Sequence, residues 1–242
     1  MVNSAYSGLL EGLFPQHCAL CGLQSSRDLP LCAGCEGDLQ VNHHCCRRCA
    51  LPLPEAASEP GTGLCGQCQQ HPPPFNRVTA PWLYDEMLAY LIHRWKYRRE
   101  HHLTDLFARL LLRSQPPPAV DLLVPVPLHW RRRWQRGFNQ SELLCHRLVR
   151  LCPELANTPV DGRMLLRNRA TAPQSGMDAR QRAGNLQGAF TVRGPCDNLR
   201  LAVVDDVLTT GATATAVANA LQTAGAVRVE IWCLARTPAP AG

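Results

Sequence analysis

The chain has 242 residues, a net charge of +6 and 45% hydrophobic content, which suits one α/β domain plus a smaller module. This mildly basic balance favours anionic ligands but does not mark a nucleic-acid binder, and with Lys96 as the only lysine the arginine bias is as well explained by genomic composition. No segment reads as a signal peptide or a membrane span, and residues 8–14 form only a short amphipathic stretch, so a cytoplasmic protein without membrane insertion is expected.

Nine of the thirteen cysteines precede residue 69, and eight of them form Cys-x-x-Cys pairs: Cys18/Cys21, Cys32/Cys35, Cys46/Cys49 and Cys65/Cys68. Two residues between thiolates make a tight knuckle that sets both sulfurs on one ion, and Zn²⁺ prefers four such ligands in a tetrahedron. Gly22 directly after Cys21 suits the turn a knuckle needs. Four pairs predict two closed, structural Zn²⁺ sites. Sequential pairing would join Cys18/Cys21 to Cys32/Cys35 and Cys46/Cys49 to Cys65/Cys68, whereas spacing leaves a cross-braced arrangement open. Cys46 is favoured over Cys45 because it keeps the common spacing, with His43 and His44 as nearby substitutes. A segment this poor in apolar residues needs its metal to fold. The remaining Cys145, Cys152, Cys196 and Cys233 lack ligand spacing and read as buried thiols.

The run Gln69 to Phe75, with three prolines, reads as a stiff boundary between a head at 1–71 and a body at 75–242. A strand is predicted from Val78 to Tyr84, then helices over Met87–Tyr97 and Leu103–Arg113. Leu122 to Pro127 reads as a buried strand, followed by a basic turn, His129 to Gln140, and a helix over Ser141–Leu151 capped by Asn139 or Ser141. The turn carries Arg131, Arg132, Arg133 and Arg136 interleaved with Trp130 and Trp134. Guanidinium forks suit a pyrophosphate, while Arg with Trp also suits a nucleic-acid strand. A solvated turn is the plain alternative.

Leu201 to Val204 is short, apolar and β-branched, as expected of a buried parallel strand. Asp205 and Asp206 follow at its carboxyl end, where open α/β sheets bind ligands. Thr209-Thr210-Gly211-Ala212-Thr213 then turns into an Ala-rich helix closed by Gly225. Hydroxyls and free N–H groups at a helix N-terminus favour a phosphate, and neighbouring carboxylates accept from sugar hydroxyls. The pattern therefore points to a phosphorylated sugar. Neither the Walker nor the dinucleotide glycine motif occurs in the chain.

The stretch from Leu201 to Thr213 resembles the ribose-5-phosphate loop of type I phosphoribosyltransferases. The resemblance implies that Asp205 and Asp206 meet the ribose hydroxyls of phosphoribosyl pyrophosphate (PRPP), and that Thr209, Thr210, Gly211, Ala212 and Thr213 bind its 5′-phosphate. The four knuckles, Pro72 to Phe75, Leu91 to Tyr97, the Pro-Val-Pro strand with Arg136 to Gln140, Arg167 to Gln174, Gly188 to Phe190 and Ile231 to Arg236 resemble the ComF/GntX family over almost the whole chain. That resemblance implies a phosphoribosyltransferase-like parallel α/β sheet behind a double zinc ribbon, in a protein tied to bacterial competence and DNA utilization. It also implies Mg²⁺ arriving with PRPP, a mobile loop over Thr171–Asn185 closing Arg180 and Arg182 on the pyrophosphate, and transfer of the phosphoribosyl group to an amine or base. Many transferases carry lysine near the pyrophosphate, where this chain offers arginine. Glutamine-dependent chemistry is not expected, since the chain begins Met1-Val2 in place of an amidotransferase domain with an N-terminal cysteine. The alternative is a non-catalytic factor that senses PRPP or binds single-stranded DNA or DNA-uptake proteins.

Overall fold

The computed structural model describes residues 16–25, 27–54, 63–114, 118–168 and 188–239. The head is built from very short elements: strands β1 (Gln16–His17) and β2 (Gln24–Ser25), paired antiparallel, and helices α1 (Ala33–Gly37) and α2 (Gly66–Gln70). The body contains β3 (Arg77–Thr79), β4 (Trp82–Leu83), α3 (Glu86–Tyr97), α4 (Leu103–Ser114), β5 (Leu122–Pro125), α5 (Trp130–Arg136), α6 (Gln140–Leu151), β6 (Leu165–Arg167) and β7 (Phe190–Val192). It continues with β8 (Arg200–Val204), β9 (Val207–Leu208), α7 (Ala212–Thr223), β10 (Arg228–Trp232) and β11 (Ala235–Arg236). Four strands form one parallel sheet in the order β3-β10-β8-β5, so the fold is mixed α/β with a parallel sheet flanked by helices.

Strand alternation sends Ala202 and Val204 of β8 to one side of this sheet and Leu201 and Val203 to the other. The first side packs on α3, α4 and α6 through Leu91, Trp95, Phe107 and Leu144, all buried. The second side packs on α7 through Val217, Ala218 and Leu221. Two apolar faces explain why the strand reads as a continuous hydrophobic run. Asp85 caps α3 by accepting from the Leu88 N–H at 2.8 Å, an interaction of about 1 kcal/mol.

The expected strand from Val78 to Tyr84 is two strands in two sheets. Beyond the four-stranded sheet lies a second parallel sheet, β4-β11-β9. Each of its strands continues one from the first sheet after a two-residue break: Ala80-Pro81, Asp205-Asp206 and Cys233-Leu234. Hydrogen bonding continues across this joint, with the Asp205 N–H donating to the Trp232 carbonyl and the Leu234 N–H to that of Asp206, both at 2.9 Å. Pro81 has no N–H to contribute to a regular ladder, which favours the break at that position.

The basic segment expected as a turn is the helix α5 from Trp130 onward. His129 caps it by accepting from the Arg131 N–H, and Gly137 closes it with φ +80°. The helix α6 begins one residue earlier than expected: Asn139 is its cap, accepting from the Ser141 N–H at 3.2 Å. Asn139 also donates to the Val126 carbonyl at 3.1 Å, tying the end of β5 to the helix start.

Both halves of the head are bound to the body. Leu29, Leu31 and Leu39 are buried in the same cluster as α3 and α4. Glu36 pairs with Arg113 of α4, and Arg94 of α3 donates to the Ala19 carbonyl. The Asn42 amide donates to the carbonyls of Ala50 and Ala80 at 2.9 and 3.1 Å. Among the described residues no helix is long and apolar enough to cross a membrane.

Candidate functional site

The cysteines of the head form two clusters, Cys18/Cys21/Cys32/Cys35 and Cys46/Cys49/Cys65/Cys68, each with its sulfurs within 4.8 Å of one another. Pairing is therefore sequential rather than cross-braced, and Cys45 stays outside the second cluster. The first knuckle of each cluster has a left-handed residue after its second cysteine: Gly22 at φ +74°, and Ala50 at φ +54°. In each, that residue's N–H returns to the first cysteine's carbonyl, Gly22 to Cys18 at 2.9 Å and Ala50 to Cys46 at 2.8 Å. Hydrogen bonds from the Cys49 thiol and from the knuckle backbone pull Cys46 down to about 4, the thiolate state that a metal ligand requires. Four sulfur donors with no further ligand fit a closed structural Zn²⁺ site. Cys145, Cys152, Cys196 and Cys233 are buried and belong to neither cluster.

A second site opens at the joint between the sheets, as a cleft of about 250 Å³ at the carboxyl ends of β5 and β8. A regular strand would send Asp205 and Asp206 to opposite faces; because they occupy the break, both line this cleft. Asp205 accepts from its neighbour's backbone N–H at 2.9 Å and from the Ser141 hydroxyl at 3.4 Å. Burial, and then the adjacent charge of Asp206, push Asp205 up to about 7. Asp206 is ion-paired at 2.6 Å with Lys96, which reaches in from the last turn of α3.

Next to the acids, Gly211 takes φ +82° and opens α7, whose twelve residues direct their N-terminus at the cleft. Thr209, Gly211 and Thr213 line the cleft; Thr210 is exposed and its hydroxyl accepts from the Ala212 N–H at 3.4 Å. The basic helix divides. Arg132 and Arg136 line the cleft, and Arg136 lies 4.8 Å over the Tyr97 ring while donating to its hydroxyl at 3.1 Å. Arg131 instead lies over Trp130 at 5.2 Å, and Arg133 pairs with Glu142 at 3.8 Å. Arg180 and Arg182, with the whole of the expected loop Thr171–Asn185, lie outside the described residues.

Lys96, Gln140, Ser141 and Arg167 are among the lining residues not singled out as site residues from sequence. Gln140 is 1% exposed, and its Nε2 has no hydrogen-bond partner among the described residues. A buried donor left unmet costs about 1–3 kcal/mol, and Gln140 belongs to the lining of the polar cleft. Ser141 was read only as a cap, and Arg167 only as part of a resemblance. The one sequence signal for Gln140 and Ser141 was their place directly after a strand end and a basic segment.

Two adjacent carboxylates, one lysine, three guanidinium groups and a helix N-terminus surround one small cavity. The carboxylates can accept from vicinal hydroxyls, and the cations and N–H groups can hold phosphoryl oxygens. For a divalent ion the described lining offers the acid pair, a donor set that suits Mg²⁺ retaining water and ligand oxygens.

Comparison with known proteins agrees with this architecture. Residues 9–73 match the double zinc ribbon domain family. The chain is 38% identical over 214 residues to DNA utilization protein YhgH of Salmonella typhi, covering 86% of this chain and 90% of that protein. It is 31% identical over 218 residues to competence protein F of Haemophilus influenzae, with 85% and 90% covered. Competence protein ComFC of Bacillus subtilis is 24% identical over 235 residues, with 88% and 90% covered. With two metal-ligating clusters in its head, a parallel α/β body and this extent of shared sequence, the chain belongs to the ComF/GntX family of competence and DNA-utilization proteins.

Proposed function

We propose that the cleft binds PRPP with Mg²⁺ and that the protein transfers the phosphoribosyl group to an amine or base in the use or uptake of DNA. The observation that carries this reading is the acid pair at the sheet joint beside the N-terminus of α7, with Lys96, Arg132, Arg136 and Arg167 lining the same cleft. Asp205 and Asp206 would receive the 2′- and 3′-hydroxyls, with Lys96 released from Asp206 toward the anionic end of the ligand. Thr209, Gly211 and Thr213 would hold the 5′-phosphate. Arg132, Arg136 and Arg167 would face the pyrophosphate, where Mg²⁺ supplies further neutralisation of the leaving group. Displacement at C1 by a nitrogen nucleophile passes through an oxocarbenium-like state, so the work of these residues is orientation and charge compensation. Free ammonia, a nucleobase and other amines are the acceptors to screen.

Calorimetric titration of PRPP with Mg²⁺ into the zinc-loaded chain tests the reading against the Asp205→Asn/Asp206→Asn variant. Binding by the wild type, lost in the folded variant, supports it; absence of binding by the wild type sinks it. A second reading draws on Trp130 and Trp134, which are 66% and 84% exposed on the outer side of α5. With Arg131 beside Trp130 they suit stacking and backbone contact with single-stranded DNA. The names of the relatives, DNA utilization and competence proteins, fit such a partner. A steep salt dependence of oligonucleotide binding, reduced by Trp134→Ala, would favour it.

A further inference from the structure

Arg236 is 7% exposed and sits in β11, just beyond the joint between the sheets. Its Nη1 donates to the carbonyls of Leu208 at 3.1 Å, Thr209, and Thr237 at 2.6 Å. Its Nε donates to the carbonyl of Cys49 at 3.2 Å, inside the second metal knuckle. One buried guanidinium thus joins the Cys46/Cys49/Cys65/Cys68 cluster to the backbone that leads into Thr209–Thr213.

No carboxylate lies within ion-pair distance of Arg236 among the described residues. A buried charge without compensation is strongly unfavourable. A divalent ion held by four thiolates remains net anionic, so the metal centre beside Cys49 is a counter-charge as well as a clamp. The peptide geometry adds a second argument. The C=O and N–H of a trans peptide point in opposite directions, and no peptide here is cis. Holding the Leu208 and Thr209 carbonyls therefore turns the N–H groups of Thr209 and Thr210 away from Arg236. Neither N–H makes a backbone hydrogen bond among the described residues.

We infer that Arg236 is a positioning residue that presents the 209–213 turn to its anionic ligand, and that occupancy of the second metal site and affinity at the cleft rise and fall together. The ligand half of this inference rests on the ribose-phosphate reading above. Among the described residues the first metal cluster makes no hydrogen bond to the 209–213 turn; its contacts run to Arg94 and to the apolar side chains of α3 and α4.

The test uses the full-length chain loaded with two Zn²⁺, comparing wild type with Arg236→Lys and Arg236→Gln. Ribose 5-phosphate is titrated by calorimetry, and amide exchange is followed in peptides over 207–213 and 122–126. Both variants are expected to bind about tenfold more weakly, with Lys the milder, and to exchange about tenfold faster over 207–213 alone. Coupling is reciprocal, so saturating ribose 5-phosphate should tighten metal at the second site of the wild type by the factor by which that metal tightens ribose 5-phosphate, and leave the first site unchanged. This measurement needs no variant to fold. Unchanged exchange in a folded, zinc-loaded Arg236→Lys, or equal effects on both metal sites, overturns the inference. If the wild type binds no ribose 5-phosphate, the ribose-phosphate reading fails, while exchange over 207–213 still decides whether Arg236 holds the turn.

Discussion

The head and the body of this chain are held together by different physics. In the head, strands of two residues and helices of five bury too little apolar surface to be stable, and sulfur clusters stand where a core would be. In the body, a parallel sheet buried on both faces does that work, with Leu201 to Val204 all inaccessible to solvent. The candidate cleft draws on both. Its acids belong to the sheet joint, while the backbone beside them is tied through Arg236 to a knuckle that only metal can hold.

Metal removal should break the comparison most sharply. Structural zinc contributes on the order of 10 kcal/mol to folding of small modules. Stripping both ions should therefore abolish the head's structure, while the buried Trp95–Phe107 pair of the body keeps its near-ultraviolet signal in circular dichroism. Loss of both signals in one transition would mean that the two regions fold as a unit.

Next in size is the acid pair. The Asp205→Asn/Asp206→Asn variant should lower PRPP affinity by about a hundredfold, corresponding to two charge-assisted hydrogen bonds. Lys96→Met should cost about tenfold, read by the same titration, as loss of one partly buried cation from the cleft.

The raised Asp205 adds a pH signature. Ribose hydroxyls donate to the ionised carboxylate, so affinity should strengthen as pH rises through about 7. In Asp206→Asn, without the neighbouring charge, the midpoint should move down. The stability effect has the opposite sign. A native carboxyl titrating near 7, against an unfolded value of about 4, holds its proton when the unfolded chain has lost it. Stability therefore falls as pH rises from about 4 to about 7 and stays lower above. Asp205→Asn should raise the melting temperature at pH 8 by a few degrees while weakening binding, measured by scanning calorimetry. An unchanged melting temperature would show that Asp205 carries no burial penalty.

The smallest effects should separate the arginines of one short helix. Arg132→Ala should weaken PRPP binding about tenfold, whereas Arg131→Ala should leave it within error and lower the salt slope of oligonucleotide binding by about one. Equal effects of both on PRPP would remove the distinction between the inner and outer sides of α5.

Much of this protein is written locally. The four knuckles follow from cysteine spacing, and Cys46 is favoured over Cys45 because it keeps the two-residue spacing of the other pairs. The helices from Glu86, Leu103 and Ala212 and the strand ending at Val204 follow from apolar periodicity, caps and glycine, all read within a few residues. Other features depend on neighbours far along the chain. A single strand is expected from Val78 to Tyr84 when Pro81, the local mark of the break, is passed over; that three strands break at one level, where Cys233 and Asp205 continue the ladder, is reported by nothing local. That shared break, absent from any regular strand pattern, turns both acids into one cleft. Packing alone decided which arginines of α5 face inward, since helical geometry separates Arg131 from Arg132 only once a wall exists to face. The pairing of Lys96 with Asp206, and the reach of Arg236 from β11 to Cys49, join residues more than a hundred positions apart. Side-chain chemistry and short-range spacing are properties of the sequence; which groups meet across such distances is set by the tertiary fold, because only packing fixes where distant backbones come to lie.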